Sequence, residues 1–135
     1  MSTEAQRDIA RHGQEFTPPA IVDAMLALRR NRGRVLEPAC GDGAFSSRIP
    51  GCTAIELDPT HCPAGALNID FFAYPETEKF DTIIGNPPYV KARDILPGTR
   101  RHLGAQLLNG HANLYLFFIE KCVRHLKPGG ELIFI

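Results

Sequence analysis

An apolar run rich in β-branched residues, residues 80–85 (FDTIIG), ends abruptly in the tetrapeptide NPPY at residues 86–89. The run predicts a buried strand, because short apolar segments with β-branched residues suit the interior of a sheet. Proline fixes the backbone dihedral φ, so the loop after the strand is stiff and its carbonyl groups point in a fixed direction. The chain is therefore predicted to hold a rigid loop at the end of a buried strand.

The loop at residues 86–89 carries groups that suit a planar substrate with an exocyclic NH2 group. Asn86 supplies a side-chain amide oxygen, and Tyr89 supplies a flat ring on which a base can stack. Two acceptors that hold an NH2 group draw its nitrogen toward sp3 character, which localises the lone pair for attack on an electrophilic methyl group. The simpler alternative is an ordinary Pro-Pro loop that caps a strand.

Residues 35–45 predict a short strand that runs into a loop with glycines at Gly41 and Gly43. Such glycines let the backbone approach a ligand closely, although Ser46 at the third glycine position departs from the dinucleotide pattern. Residues 52–57 predict a second strand, and its acid Glu56 follows Gly41 by fifteen residues. A carboxylate at this place can accept both hydroxyls of a ribose, which indicates a nucleoside-containing cofactor.

A third candidate strand, residues 66–69, ends in Asp70-Phe71-Phe72. The acid and the aromatic rings are expected to hold and cover an adenine. With strands also predicted near 34–37, 53–57, 80–85 and 131–135, strands alternate with helices, which is typical of an α/β fold with a parallel sheet. Ligands bind such sheets at the carboxyl ends of the strands, so one rim is expected to carry Glu37, Glu56, Asp70 and Asn86.

The helix that precedes the first strand is predicted from apolar residues at helical spacing between Ile21 and Leu28. Thr17 is expected to be its N-cap, with Pro18 at the first helical position. A second helix with a wide apolar face is predicted to begin near Tyr115 and to end at Pro128-Gly129.

In this order and spacing, the motifs resemble the S-adenosylmethionine-dependent amino-methyltransferases, most closely the gamma-order N6-adenine DNA methyltransferases of restriction-modification systems. Residues 14–19 (QEFTPP) are similar to the family's N-terminal motif, and residues 113–115 and 126–132 match the helix and turn after its catalytic loop. The resemblance covers residues 14–135 and implies a Rossmann-like methyltransferase fold with a mainly parallel sheet.

The resemblance implies that S-adenosyl-L-methionine is the cofactor. Glu37 is expected to pair with its α-amino group, the alternative being a strand-end carboxylate in solvent. Asp42 is either a ligand or a turn residue that bonds to its own loop. The expected cofactor-binding residues are Phe16, Thr17, Glu37, Ala39, Gly41, Gly43, Glu56, Leu57, Asp70, Phe71, Asn86 and Pro88.

The resemblance also assigns catalysis to Asn86, Pro87 and Tyr89. The target adenine is flipped out of double-stranded DNA, Asn86 Oδ1 and the Pro87 carbonyl accept the N6 hydrogens, and Tyr89 stacks on the ring. Basic residues after this loop are expected either to contact phosphates or to form a solvated surface: Lys91, Arg93, Arg100, Arg101 and His102.

Two other function classes stay open. One is a methyltransferase that acts on a different NH2 group, such as a protein glutamine, an RNA guanine or cytosine N4. The other is a noncatalytic module completed by a partner chain. Relatives that modify release-factor glutamine carry an Asp-x-Gly-x-Gly loop and lack Thr-Pro-Pro, so residues 17–19 (TPP) and 37–41 (EPACG) favour DNA.

Composition limits the partners. Fifteen basic and fifteen acidic residues balance, so the composition does not resemble that of a strongly basic nucleic-acid coat. Four cysteines without paired metal spacing predict reduced thiols and no metal site. No signal peptide and no apolar run near eighteen residues is visible, so we expect a cytoplasmic protein without membrane contact.

The family's sheet has seven strands and is followed by a DNA-recognition domain, whereas this sequence stops in the fifth strand, which would be an exposed sheet edge. Residues 1–135 are therefore expected to be an incomplete methyltransferase domain. A missing C-terminal half or a partner subunit is expected to carry target recognition. Alone, the chain is expected to bind cofactor poorly and to methylate DNA undetectably.

Overall fold

The structure is a computed structural model that describes residues 16–103 and 113–135, and residues 14 and 15 of the N-terminal motif lie outside this part. Within it, the strands are β1 (Val35–Glu37), β2 (Thr53–Ala54), β3 (Phe80–Gly85) and β4 (Leu126–Phe134). They form one sheet in the order β2-β1-β3-β4, and each neighbouring pair is parallel. The predicted α/β architecture is confirmed.

Three α-helices accompany the sheet in the described residues: α1 (Pro19–Ala27), α2 (Pro97–Leu103) and α3 (Leu114–Arg124). Short 3-10 segments lie at Ser46–Arg48, Phe71–Ala73 and Ala92–Asp94. None of the helices in the part described is long and apolar enough to cross a bilayer. Asn113 caps α3, because its Oδ1 accepts from the Tyr115 N–H at 3.2 Å.

The predicted N-cap of α1 is wrong by one residue. Pro18, not Thr17, precedes the helix, with φ −58° and ψ 143°, and Pro19 occupies the first turn. A residue before proline is disfavoured in helical conformation, so Pro19 keeps Pro18 extended and the helix cannot begin there.

The run at residues 80–85 is buried because helices cover both faces of the sheet. Val35 and Ile84 belong to a cluster with α1, whereas Leu36 and Ile83 belong to a cluster with α3. Strands buried on both faces are continuously apolar and do not alternate. The prediction of a buried strand at residues 80–85 is confirmed.

The third candidate strand, residues 66–69, is reduced to one parallel bridge between Leu67 and Ile55. Leu67 N–H donates to the Ala54 carbonyl at 2.8 Å, and the Glu56 N–H donates back to Leu67 at 2.9 Å. Beyond this bridge, the Asn68 side chain bonds to the carbonyls of residues 56 and 57. The side chain therefore occupies acceptors at the edge where a longer strand would continue the ladder.

The last strand, β4, begins five residues earlier than the predicted segment 131–135. Its pairing with β3 is irregular, because Phe80 pairs with Leu126 while Thr82 pairs with Glu131. Gly129 in the extra stretch has φ +77°, a conformation that glycine adopts without strain. The turn expected at Pro128-Gly129 is thus a bulge inside the strand.

The cysteines are free thiols with no metal-type cluster of His, Cys, Asp or Glu around them in the residues described. Burial raises the pKa of Cys40 and of Cys52 to about 12, so both are protonated at neutral pH. They act there as small apolar side chains.

Candidate functional site

One pocket opens at the carboxyl ends of β1, β2 and β3. Most of the residues expected to bind cofactor lie around it: Phe16, Thr17, Glu37, Ala39, Gly41, Glu56, Leu57, Asp70, Phe71, Asn86 and Pro88. Gly43, Pro87 and Tyr89 do not line it. The structure thus brings together residues as far apart in sequence as Phe16 and Phe118, and it places Thr17 beside Asn86.

The glycine loop approaches the pocket with its backbone. Gly41 has φ +51° and lines the pocket, and a side chain built there would meet no atom within 4 Å. Gly43 has φ +86°, and its N–H donates to the Cys40 carbonyl at 2.8 Å. Gly41 therefore exposes backbone to a ligand, while Gly43 supplies the turn that makes this possible.

Glu37 ends β1 and is only 2% exposed. Its Oε1 accepts from the Ser46 N–H at 2.8 Å. Burial raises the pKa of the Glu37 carboxyl to about 7, although the Ser46 N–H lowers it. The alternative of a carboxylate in solvent is wrong, and the pocket holds a buried acid that a cationic group would ionise fully.

Glu56 fastens the glycine loop to the end of β2. It is 6% exposed, and its two oxygens accept from the N–H groups of Gly41 and Asp58, both at 2.8 Å. Each carboxylate oxygen can accept a second hydrogen bond. Glu56 therefore has acceptor capacity left for hydroxyl groups in the pocket.

Asp70 holds its carboxylate between two donors. Oδ1 accepts from the Phe72 N–H at 2.9 Å, and Oδ2 accepts from the Thr99 hydroxyl at 2.5 Å. Phe71 is 3% exposed, and its ring centroid lies 4.7 Å from that of Phe118. Phe71 thus contributes an apolar surface packed into the core, next to a fixed acid.

Asn86 is the first residue after β3, and its Oδ1 is buried with no hydrogen-bond partner among the described residues. Its Nδ2 lies 3.5 Å from the Thr17 hydroxyl. An unpaired buried acceptor costs about 1–3 kcal/mol, so it indicates a ligand that supplies the missing donor. Pro87 beside it is buried, and Pro88 lines the pocket.

Tyr89 lies outside the pocket and is 41% exposed. Its ring centroid is 5.3 Å from that of Tyr115, with the planes at 43°. Its hydroxyl donates to the Ile135 carbonyl. The Tyr89 ring is thus fixed by the contact with Tyr115 on one side and by the hydroxyl bond to Ile135.

Sequence reasoning missed several residues that line the pocket: His61, Leu96, Thr99, Leu114 and Phe118. Leu114 and Phe118 are one helical turn apart on α3, so the apolar face predicted for that helix was an available signal. Thr99 lies on α2 and Leu96 immediately precedes it, and no sequence pattern marks either residue.

Two of the basic residues after the loop contact acceptors close to them in sequence. Arg93 lies 3.6 Å from the Asp94 carboxylate, and the Arg100 Nε donates to the Ile95 carbonyl at 3.1 Å. Arg101 and His102 are exposed on α2. Both expectations for this segment, phosphate contact and solvated surface, stay predictions.

Comparison with known proteins gives a family match and a fold match. The Eco57I restriction-modification methylase family matches residues 58–135. The Type II methyltransferase M.TthHB8I of Thermus thermophilus is 35% identical over 147 residues, which cover 91% of this chain and 34% of that protein. The chain thus spans about a third of the length of this relative.

A release factor glutamine methyltransferase of Gloeobacter violaceus is 28% identical over 142 residues, which cover 84% of this chain and 49% of that protein. A solved structure from Listeria monocytogenes, assigned as a class I S-adenosylmethionine-dependent methyltransferase, superposes with a TM-score of 0.67 at 19% identity. The superposition covers 90% of this chain and 46% of that one. This superposition confirms that the chain has a Rossmann-like methyltransferase fold.

Proposed function

The chain belongs to the Eco57I restriction-modification methylase family, and we propose that it binds S-adenosyl-L-methionine and transfers the methyl group to N6 of an adenine flipped out of double-stranded DNA. The observation that carries the proposal is the Oδ1 of Asn86 at the pocket, which is buried and has no hydrogen-bond partner in the part of the chain that the structure describes. Residues 1–135 supply the chemical step in this proposal, and base readout is assigned to a further domain or a partner subunit, as the resemblance implies.

The residues around the pocket fit a nucleoside cofactor that ends in an amino acid. Glu56 has acceptor capacity for ribose hydroxyls, and Phe71 offers an apolar surface for a base next to the Asp70 carboxylate. The buried Glu37 suits an ammonium group, because a cation offsets the cost of ionising a desolvated carboxyl. When bound, S-adenosyl-L-methionine supplies an electrophilic methyl group.

Asn86 and Pro87 act on the nitrogen that receives the methyl group. The Asn86 Oδ1 and the Pro87 carbonyl accept its two hydrogens, hold it at attack distance and stabilise the positive charge that develops on it. These contacts are stronger in the transition state than in the ground state, so they raise the rate. No base is needed before attack, because the amino proton becomes acidic only after methylation.

Tyr89 lies where it can contact a base that enters from outside the pocket. Its ring is half-exposed and fixed by Tyr115 and Ile135. Stacking on such a ring offsets part of the few kcal/mol that extrusion of a base from the duplex costs.

A second candidate is transfer to a protein glutamine, which the similarity to the Gloeobacter protein favours. Both functions need two acceptors for a planar NH2 group, so Asn86 alone does not separate them. They differ in the substrate that must lie on Tyr89.

The test is product analysis with methyl-labelled cofactor and the full-length protein, offered mixed-sequence duplex DNA or a glutamine-bearing protein substrate. Nucleosides from digested DNA are expected to carry the label as N6-methyl-2′-deoxyadenosine. Label in N4-methylcytosine or in glutamine would refute the adenine assignment. Label in neither substrate, with cofactor bound, would favour the noncatalytic alternative.

A further inference from the structure

Thr99 on α2 contacts Asp70, the acid that lies at the end of the pocket proposed to hold the adenine of the cofactor. It is 4% exposed, it lines the pocket, and its hydroxyl donates to the Asp70 Oδ2 at 2.5 Å. We propose that Thr99 is a positioning residue that fixes the Asp70 carboxylate and thereby makes the pocket select a cofactor base with an amino group over one with a carbonyl at the same position. The inference rests on the proposed use of S-adenosyl-L-methionine.

The carboxylate of Asp70 is fixed by donors from two different elements. The backbone of Phe71–Ala73 donates to Oδ1 through the Phe72 N–H, and the side chain of Thr99 donates to Oδ2. With one oxygen held from each side, rotation of the carboxylate is restricted, and the remaining lone pairs keep a fixed direction. Removal of the Thr99 hydroxyl leaves only the Phe72 N–H of these two donors, so the carboxylate can turn about its bond to Cβ.

Direction matters because an ionised carboxylate only accepts hydrogen bonds. An exocyclic amino group, as in adenine, donates to it, whereas a carbonyl, as in hypoxanthine, presents a second acceptor. A site built to pair with a donor rejects an analogue that lacks it, because its polar group is then left unpaired. The selectivity therefore depends on how firmly Asp70 is held.

The position of Thr99 in the chain adds a link between two parts of the site. α2 follows the NPPY loop by way of the 3-10 segment Ala92–Asp94, and Leu96, just before α2, also lines the pocket. The segment that leaves the candidate catalytic loop thus returns to the base end of the cofactor pocket. This segment contacts Asp70 through the Thr99 hydroxyl.

The experiment compares binding of S-adenosylhomocysteine with its deaminated analogue S-inosylhomocysteine, by calorimetry on the full-length protein. The wild type is expected to prefer the adenine form at least about tenfold, the effect of one hydrogen bond to a charged group. Thr99→Val, which keeps the shape and removes the hydroxyl, is expected to bind the adenine form about tenfold more weakly and to leave the hypoxanthine form unchanged. Thr99→Ser is expected to restore the wild-type ratio.

Thr60→Val is the matched control, because the Thr60 hydroxyl donates to the Asp58 Oδ1 at 2.7 Å and neither residue lines the pocket. Its ratio of the two affinities is expected to equal that of the wild type. Equal weakening of both ligands by Thr99→Val, or an unchanged ratio, would overturn the inference. A Thr99→Ser protein that does not prefer the adenine ligand would also overturn the inference. This variant keeps the test decisive if Thr99→Val does not fold.

The outcomes also separate this inference from the proposed function. A wild-type protein that binds neither ligand refutes the proposed cofactor. One that binds both ligands equally leaves the cofactor proposal standing and refutes the role of Asp70 and Thr99 in base selection.

Discussion

The Asn86 side-chain amide points its Nδ2 at the Thr17 hydroxyl, 3.5 Å away, and its buried Oδ1 has no partner within residues 16–103 and 113–135. The two residues come from motifs 69 positions apart. The NH2 side of the amide donates to this hydroxyl, so the contact with Thr17 turns Oδ1 away and leaves it available to a ligand. The segment before α1 thereby orients the candidate catalytic group.

The first prediction concerns that orphan oxygen. Asn86→Ala is expected to reduce methyl transfer at least about a hundredfold while cofactor binding stays nearly intact, because the contact acts on charge that develops in the transition state. Labelled-cofactor turnover and calorimetry measure the two effects separately. Asn113→Ala is the control, since it removes the α3 cap, destabilises the fold by about 1 kcal/mol and leaves turnover unchanged. Wild-type turnover in Asn86→Ala would rule out the mechanism.

Glu56 is expected to bind the cofactor and to fasten the glycine loop. Glu56→Ala should weaken cofactor binding by about 1.5–3 kcal/mol, the range for a hydrogen bond that involves a charged group. It should also lower the melting temperature, because the Gly41 and Asp58 N–H groups lose their acceptor. Glu78→Ala, which removes a surface pair with Arg34, serves as the control for charge. Unchanged affinity in Glu56→Ala would show that the ribose assignment is wrong.

The sequence predicted those residues around the pocket that a local pattern marks, and it missed those that only a long-range contact brings there. Glu56 and Asn86 were found because each follows a buried strand, and parallel strands bring their carboxyl ends to one rim. The bond between Thr99 and Asp70 joins residues 29 apart through α2, and no local pattern encodes such a contact. Leu96 was missed for the same reason.

The strands also divide into one that the sequence predicted correctly and one that it did not. The strand at residues 80–85 was predicted correctly because burial on both faces leaves a continuous apolar run. The strand at residues 66–69 failed because its apolar residues lie at a sheet edge, where Leu67 is 42% exposed and Asn68 takes the neighbouring carbonyls. Apolar content alone does not distinguish an edge from an interior position.

Glu37 predicts a pH dependence of stability. Its folded-state pKa of about 7 lies above the ordinary 4.5, so the folded protein holds a proton that the unfolded chain releases. The contribution is complete below about pH 4.5 and is lost as the pH rises through about 7, a change on the order of 3 kcal/mol. Glu37→Gln, which keeps the acceptor for Ser46, should flatten the curve of unfolding free energy against pH in this window. Identical slopes for wild type and variant would contradict the assignment.

The same acid predicts how cofactor affinity varies with pH. An ammonium group binds the ionised form of Glu37, so affinity should rise as the pH increases through about 7 and then level off. Calorimetry from pH 5.5 to pH 8.5 in buffers of different ionisation enthalpy should also detect proton release on binding. In Glu37→Gln both effects are expected to disappear. A wild-type affinity that is flat over this range would place the ammonium elsewhere.

Tyr89 predicts what the substrate must be. Tyr89→Ala is expected to lower kcat/KM on DNA. The corresponding activation free energy should rise by about 1–3 kcal/mol, the usual loss when a stacking aromatic is truncated. Tyr89→Phe keeps the ring and removes the hydroxyl that donates to Ile135, so it should retain nearly the wild-type rate. The two variants separate stacking from support of the chain, because a structural role through the hydroxyl would damage both alike. A glutamine substrate offers no ring to stack, so the gap between the variants would vanish if the target were a side-chain amide.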